Sequence, residues 1–168
     1  MNCYFLRHGI AVDSAEWHGS DDDRPLTAEG STRMEREAKA IAELLPDLEL
    51  IVTSPLVRAR QTAQFVAERL RLRNVVEDGR IAHGFNARAC QAILTAHPDA
   101  ESVMLVGHEP SMSATIGHMI GDGNVELKKA ALAGVELAER TSTSGTLIFL
   151  IPPKVLAKWG RSIHGQQE

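Results

Sequence analysis

Short apolar runs alternate along the chain with stretches whose apolar residues recur at helical spacing. That alternation predicts an α/β fold in which βα units build a mostly parallel central sheet with helices on both faces. The first run is Cys3-Tyr4-Phe5-Leu6. A polar loop follows from Asp13 to Arg24, and Pro25-Leu26-Thr27 then introduces a helix that carries Met34, Ala38, Ile41 and Leu45 on one face, with Thr27 as its N-cap and Pro46 as its stop. Leu48 to Thr53 reads as the second strand. Ser54-Pro55 opens a helix with Ala59, Ala63, Val66 and Leu70 on one side, and Val75-Val76 is a weak third strand. Asn86 caps a helix that ends near His97-Pro98. Ser102 to Val106 is a strongly apolar fourth strand leading into Gly107-His108, and a helix with Met112, Ile116 and Met119 runs from Pro110 to Gly121. Leu132 to Ala138 and Thr146 to Ile151 read as closing strands joined by the turn Thr141 to Gly145.

No repeat, linker or low-complexity tract interrupts this pattern, so a single domain over residues 1–159 is expected, with 160–168 as a flexible tail. Lys plus Arg number 18 against 22 for Asp plus Glu, a net charge of -4. Nucleic-acid binding usually needs the opposite imbalance. No apolar run approaches the length of a bilayer span and no signal pattern opens the chain, so membrane association is not expected and the cytoplasm is the expected compartment. Cys3 and Cys90 both lie in apolar stretches and read as small core residues rather than a bridge or a metal site.

Three polar clusters follow directly on three predicted strands: Arg7-His8-Gly9, Ser54 through Arg58, and Gly107-His108. In an open α/β sheet those strand ends share the edge where ligands bind. Two arginines and two histidines would then converge, a set suited to a phosphoryl group whose charge is spread over several oxygens. Arg58 stands in the first turn of its helix, where a cation opposes the positive end of the macrodipole. A bound anion would offset that placement, whereas a solvated arginine is the plainer reading. His8 alone could be a hydrogen-bonded structural residue, but it lies between Arg7 and Gly9, whose missing side chain permits close approach of backbone to a ligand.

Leu6-Arg7-His8-Gly9 resembles the signature of the histidine phosphatase superfamily, whose founding enzymes include the cofactor-dependent phosphoglycerate mutases. Asp23-Arg24-Pro25-Leu26-Thr27 with Gly30, Ser54-Pro55-Leu56-Val57-Arg58-Ala59 with Gln61-Thr62, and Val106-Gly107-His108 are similar to its small SixA-like phosphohistidine phosphatase branch. The resemblance covers most of residues 1–150. It implies a phosphoglycerate mutase-like fold and a hydrolase that works by covalent catalysis: neutral His8 attacks phosphorus, a phosphohistidine enzyme forms, and water releases inorganic phosphate. Arg7, Arg58 and His108, with Gly9, would hold the phosphoryl oxygens. No metal or other cofactor is expected, and His18, His83, His97, His118 and His164 are scattered without zinc-type spacing.

Members of the superfamily that cleave phosphate esters use an acidic residue beyond the third strand to protonate the leaving oxygen. Glu77 and Asp78 are the nearest acids here, and their plainer reading is a solvated strand end before the turn at Gly79. The branch also lacks a clear acid, and a protonated imidazole can leave with less help than an alkoxide. Residues 77–85 are too few for an enclosing lid, so the expected substrate is phosphate presented on a histidine-containing protein. Asp21-Asp22-Asp23 would border the mouth and repel small polyanions, or form an ordinary solvated turn. The alternatives are a small-molecule phosphomonoesterase or mutase of the same superfamily, and a non-catalytic phosphate-binding module.

Overall fold

In a computed structural model that describes residues 1–163, six strands form one sheet: β1 (Asn2–Arg7), β2 (Leu50–Thr53), β3 (Val75–Glu77), β4 (Ser102–Gly107), β5 (Leu132–Glu136) and β6 (Thr146–Ile151). Their spatial order is β3-β2-β4-β1-β5-β6. The first four are mutually parallel, and β5 and β6 add an antiparallel pair beside β1. Five helices complete the fold: α1 (Ala28–Leu44), α2 (Val57–Leu70), α3 (Ala87–Ala96), α4 (Ser111–Met119) and α5 (Pro153–Ser162).

Strand side chains alternate between faces with period two, and this alternation sorts the core into two layers. Cys3 and Phe5 of β1, Leu50 and Val52 of β2, and Val103 and Leu105 of β4 pack beneath α3 and α4. Tyr4, Leu6, Ile51, Met104 and Val106 point the other way, beneath α1, α2 and α5. Both faces are therefore covered by helices, and the near-continuous apolar runs follow from double burial. The fold is a single-domain, mostly parallel α/β architecture of the phosphoglycerate mutase type.

Local signals act as the residue chemistry requires. The Thr27 hydroxyl accepts the Gly30 N–H at the start of α1, and Asn86 Oδ1 accepts the N–H groups of Arg88 and Ala89 at the start of α3. Gly30 lies against the Ile10 carbonyl, only 2.1 Å from where a Cβ would stand, which brings α1 hard against the loop after β1.

One boundary differs from expectation. The segment after Ile151 is the helix α5, which extends through Ser162, so residues 160–162 belong to a packed helix rather than a tail. Pro153 supplies the fixed φ of a first helical turn, Leu156 is buried against the sheet, and a Cβ on Gly160 would stand 1.9 Å from the Arg36 carbonyl of α1. Ile163 follows α5, and residues 164–168 of the expected tail, with His164, lie outside the described residues. No described helix is long and apolar enough to cross a membrane.

Candidate active site

The register of the parallel strands brings the three polar clusters to one edge. Arg7 stands opposite Gly107, and Thr53 opposite Val106. Past those pairs the His8 N–H donates to the Gly107 carbonyl at 3.1 Å and the Ser54 N–H to the Val106 carbonyl at 2.9 Å, so the chains leave the sheet side by side.

His8 and His108 meet there, with ring centroids 5.2 Å apart and planes tilted by 52°. His8 Nδ1 lies 2.8 Å from the carbonyl oxygen of Gly9. A carbonyl only accepts, so Nδ1 carries the hydrogen and the lone pair is left on Nε2. Burial depresses the His8 pKa to about 3, with the charges of His108, Arg58 and Arg7 adding to the effect against the opposing Gly9 hydrogen bond. The ring is accordingly neutral at physiological pH. His108 is also lowered, to about 4, by burial first and then by Arg58 and His83.

His108 Nε2 lies 2.7 Å from Ser54 Oγ. That oxygen already accepts the Leu56 N–H at 3.3 Å, so its own hydrogen is free to donate to Nε2. With that assignment Nδ1 keeps the ring hydrogen, and Nδ1 is buried without a partner. Arg7 Nε and Arg58 Nε are buried without partners too. Three unsatisfied donors at one strand edge mark a place where an anion would complete the hydrogen bonding.

Arg58 is only 5% exposed. Its Nη1 donates to the Asp21 carbonyl at 2.7 Å and its Nη2 to Asp21 Oδ2 at 2.9 Å. Asp21 also accepts from Arg24 Nε at 2.9 Å and belongs to a short 3-10 turn over Asp21–Asp23. The acidic loop therefore reaches into the site, where residue types alone suggested only a border or a solvated turn. Arg7 Nη1 donates to the Leu127 carbonyl at 2.9 Å, and burial lowers its pKa.

Gly9 spends both backbone polar groups inside the protein. Its carbonyl holds His8, and its N–H donates at 3.0 Å to Thr62 Oγ1, which in turn donates to the Arg58 carbonyl at 2.7 Å. A Cβ on Gly9 would stand 2.8 Å from Met34 Cγ. The close approach seen at Gly9 is to α1 and α2, and it ties the His8 loop to the helix carrying Arg58. Thr62 and Ser54 were legible only as parts of motifs; their partners come from across the sheet.

The two acids at the end of β3, Glu77 within it and Asp78 just past it, point to other partners. Glu77 Oε1 is 3.6 Å from Arg60 Nη1, with both side chains half-exposed. Asp78 holds Arg80 through three side-chain contacts of 2.6 to 3.1 Å, and those hydrogen bonds lower its pKa. Among the scattered histidines, His83 Nε2 lies 3.9 Å from Asp22 and His118 Nδ1 lies 3.6 Å from Asp122. Among the described residues no group of three or more His, Cys, Asp or Glu side chains is placed to hold a metal ion.

A buried imidazole with a free Nε2, ringed by arginines at the carboxyl ends of parallel strands, defines a class, and the family comparison agrees with it. The family model of the histidine phosphatase superfamily (branch 1) matches residues 3–85. An uncharacterized protein of Picosynechococcus sp. (strain ATCC 27264 / PCC 7002 / PR-6) is 38% identical, covering 93% of this chain and 99% of its own. The phosphohistidine phosphatase SixA of Escherichia coli (strain K12) is 27% identical over 91% of this chain and 94% of its own. A solved structure of the protein histidine phosphatase SixA complexed with tungstate superposes with a TM-score of 0.81 at 25% identity, covering 93% of this chain and 99% of that one. The chain belongs to the histidine phosphatase superfamily, and it is a hydrolase of the phosphatase type.

Proposed function

We propose that this phosphatase removes phosphate from a histidine of a protein substrate, through a covalent phosphohistidine on His8. The observation that carries the reading is the His8 tautomer: a neutral ring, hydrogen fixed on Nδ1 by Gly9, with Nε2 open at the strand edge among unsatisfied cationic donors. Nε2 attacks phosphorus in line with the leaving imidazole, and the substrate P–N bond breaks with its electron pair going to the departing nitrogen. Protonated at its other nitrogen beforehand, that ring leaves neutral. Water then attacks the phosphorus on His8 and loses a proton, restoring Nε2 and releasing inorganic phosphate. Arg7, Arg58 and His108 hold the phosphoryl oxygens through both transfers, stabilising charge as it spreads over them. Gly9, Thr62 and Ser54 are positioning residues.

Two features support phosphohistidine as the substrate. Glu77 and Asp78 are engaged with Arg60 and Arg80 and make no hydrogen bond or ion pair to His8 or His108, so neither is placed to protonate an alkoxide leaving group. The segment from β3 to α3 holds only a 3-10 turn over Gly79–Ile81, too short to form a lid over the mouth. SixA proteins, by their names, act on phosphohistidine. Cys3 and Cys90 are free thiols with sulfurs 4.0 Å apart, which supports a reducing, cytoplasmic setting for the same reading.

The test compares turnover on a phosphohistidine protein, p-nitrophenyl phosphate and phosphoglycerate. The highest kcat/KM should fall on the phosphohistidine protein. A preference for phosphoglycerate would make the chain a metabolite phosphatase or mutase, with the His8 chemistry intact.

A further inference from the structure

We infer that the groove between α1 and α5 docks an acidic surface of the phosphoprotein substrate. The inference rests on the substrate reading above and adds where the protein part of that substrate sits. The groove has a volume of about 540 Å³ and is walled by Arg33 and Arg36 of α1 and by Lys154, Lys158 and Arg161 of α5, with Glu29 the one acid on its rim. No ion pair joins Arg36, Lys154, Lys158 or Arg161 to an acid among the described residues. Lys154, Lys158 and Arg161 are exposed. In a chain of net charge -4, this is a local concentration of uncompensated positive charge.

Its position relates it to catalysis. β6 runs in the same direction as β1, because each is antiparallel to β5. Leu6 pairs with Leu132, and Leu132 pairs with Ile151, so the end of β6 lies level with the end of β1. α5 begins two residues later, and α1 begins where Thr27 donates its N–H to the Ile10 carbonyl, just past His8. Both helices therefore start at the catalytic edge and run back from it, and the Glu29–Lys154 end of the groove opens on that edge. A protein whose phosphohistidine enters the site would lay adjacent surface along the groove.

Lys154 adds an independent sign. It sits in the first turn of α5, which has no acidic residue and no side-chain cap, so a cation there faces the positive end of the helix dipole. An acidic partner reverses that disadvantage. Arg33 meets Glu29 at 4.0 Å and Glu37 at 3.8 Å, so the positive charge of the groove rests on Arg36, Lys154, Lys158 and Arg161. A long nucleic acid is disfavoured, because beyond the groove it would meet a net negative protein.

The test uses K154E/K158E, which changes two exposed residues outside the catalytic set. Two synthetic peptides carry a central phosphohistidine, one flanked by glutamates and one by lysines. At low salt the wild type should turn over the acidic peptide with at least about tenfold higher kcat/KM, and the preference should vanish in K154E/K158E and at high ionic strength. Turnover of p-nitrophenyl phosphate should be equal in the two proteins. Fluorescence anisotropy with the unphosphorylated acidic peptide reads docking without chemistry: binding by the wild type, lost in the variant, supports the groove even if neither phosphopeptide is hydrolysed, in which case only the substrate reading fails. Equal peptide binding by both proteins, no binding by either, or tighter binding of a single-stranded oligonucleotide of equal charge would overturn the inference.

Discussion

Replacing Arg58 with alanine separates what its guanidinium does for an anion from what it does for the fold. In the resting structure the side chain donates to the Asp21 carbonyl at 2.7 Å and pairs with Asp21 Oδ2 at 2.9 Å. The Asp21 side chain is 53% exposed, which puts the ion pair on the surface scale of roughly 0.2–1 kcal/mol. The charged bond to the carbonyl contributes about 1.5–3 kcal/mol. Against these stand the burial of the guanidinium and its place at the positive end of α2, the latter unfavourable by about 0.3–1 kcal/mol. The balance is a loss of about 1–2 kcal/mol, a fall in melting temperature of about 2–8 °C for a domain of this size. Kinetics should change far more. Removing one preorganised donor from a transition state that spreads charge over oxygens costs about 10²- to 10³-fold in kcat. Steady-state turnover of p-nitrophenyl phosphate, vanadate inhibition and urea unfolding measure the two effects on one preparation. Arg58→Lys should recover part of the vanadate affinity and little of kcat, because an ammonium restores charge without the planar fork. Unchanged turnover and vanadate inhibition in Arg58→Ala, with a raised melting temperature, would reduce Arg58 to a misplaced surface cation and refute the oxygen clamp.

Glu77→Gln and Asp78→Asn should leave phosphohistidine hydrolysis within about twofold of wild type, because Arg60 and Arg80 already engage these carboxylates; a drop of about 10²- to 10⁴-fold without unfolding would make one of them a general acid. Glu37 has a different readout. Its folded pKa, raised to about 8 by burial, exceeds that of an unfolded carboxyl, so between about pH 4.5 and 8 the folded state holds the extra proton and stability falls as pH rises, by up to about 1.4 kcal/mol per pH unit from this group. Glu37→Gln should flatten that slope and be relatively more stable above pH 8; an unaltered slope in urea unfolding would show that Glu37 ionises normally.

The strands and most helix starts were legible because local chemistry and tertiary packing agree. Both faces of the sheet are buried, so its strands read as plain apolar runs, and Thr27 and Asn86 make the caps that their side chains suggest. The site was legible for a related reason: parallel strands deliver Arg7, Ser54 and Gly107 to one edge wherever the register falls. The C-terminal helix was not legible, because Lys154, Val155 and Lys158 give it a polar or exposed aspect and its burial rests on Leu156, Ala157 and Gly160 meeting α1. The partner of Arg58 was also hidden. Asp21 lies in an acidic run that would suit any solvated turn, and only the return of the loop over α2 brings it to the guanidinium. The packing at Gly9 was hidden as well: Met34 and Leu26 crowd it, and no local pattern links either to it.

The covalent step on His8 is the centre of the account, and trapping it is the most direct test. The protein is mixed for milliseconds with a phosphohistidine protein carrying labelled phosphate, quenched in alkali, digested and mapped. Alkali-stable, acid-labile label should appear on the peptide containing His8 in the wild type. It should be absent from His8→Asn, which keeps polarity and fold while losing nucleophilicity. Label on another residue, or full turnover by His8→Asn, would contradict nucleophilic catalysis by His8.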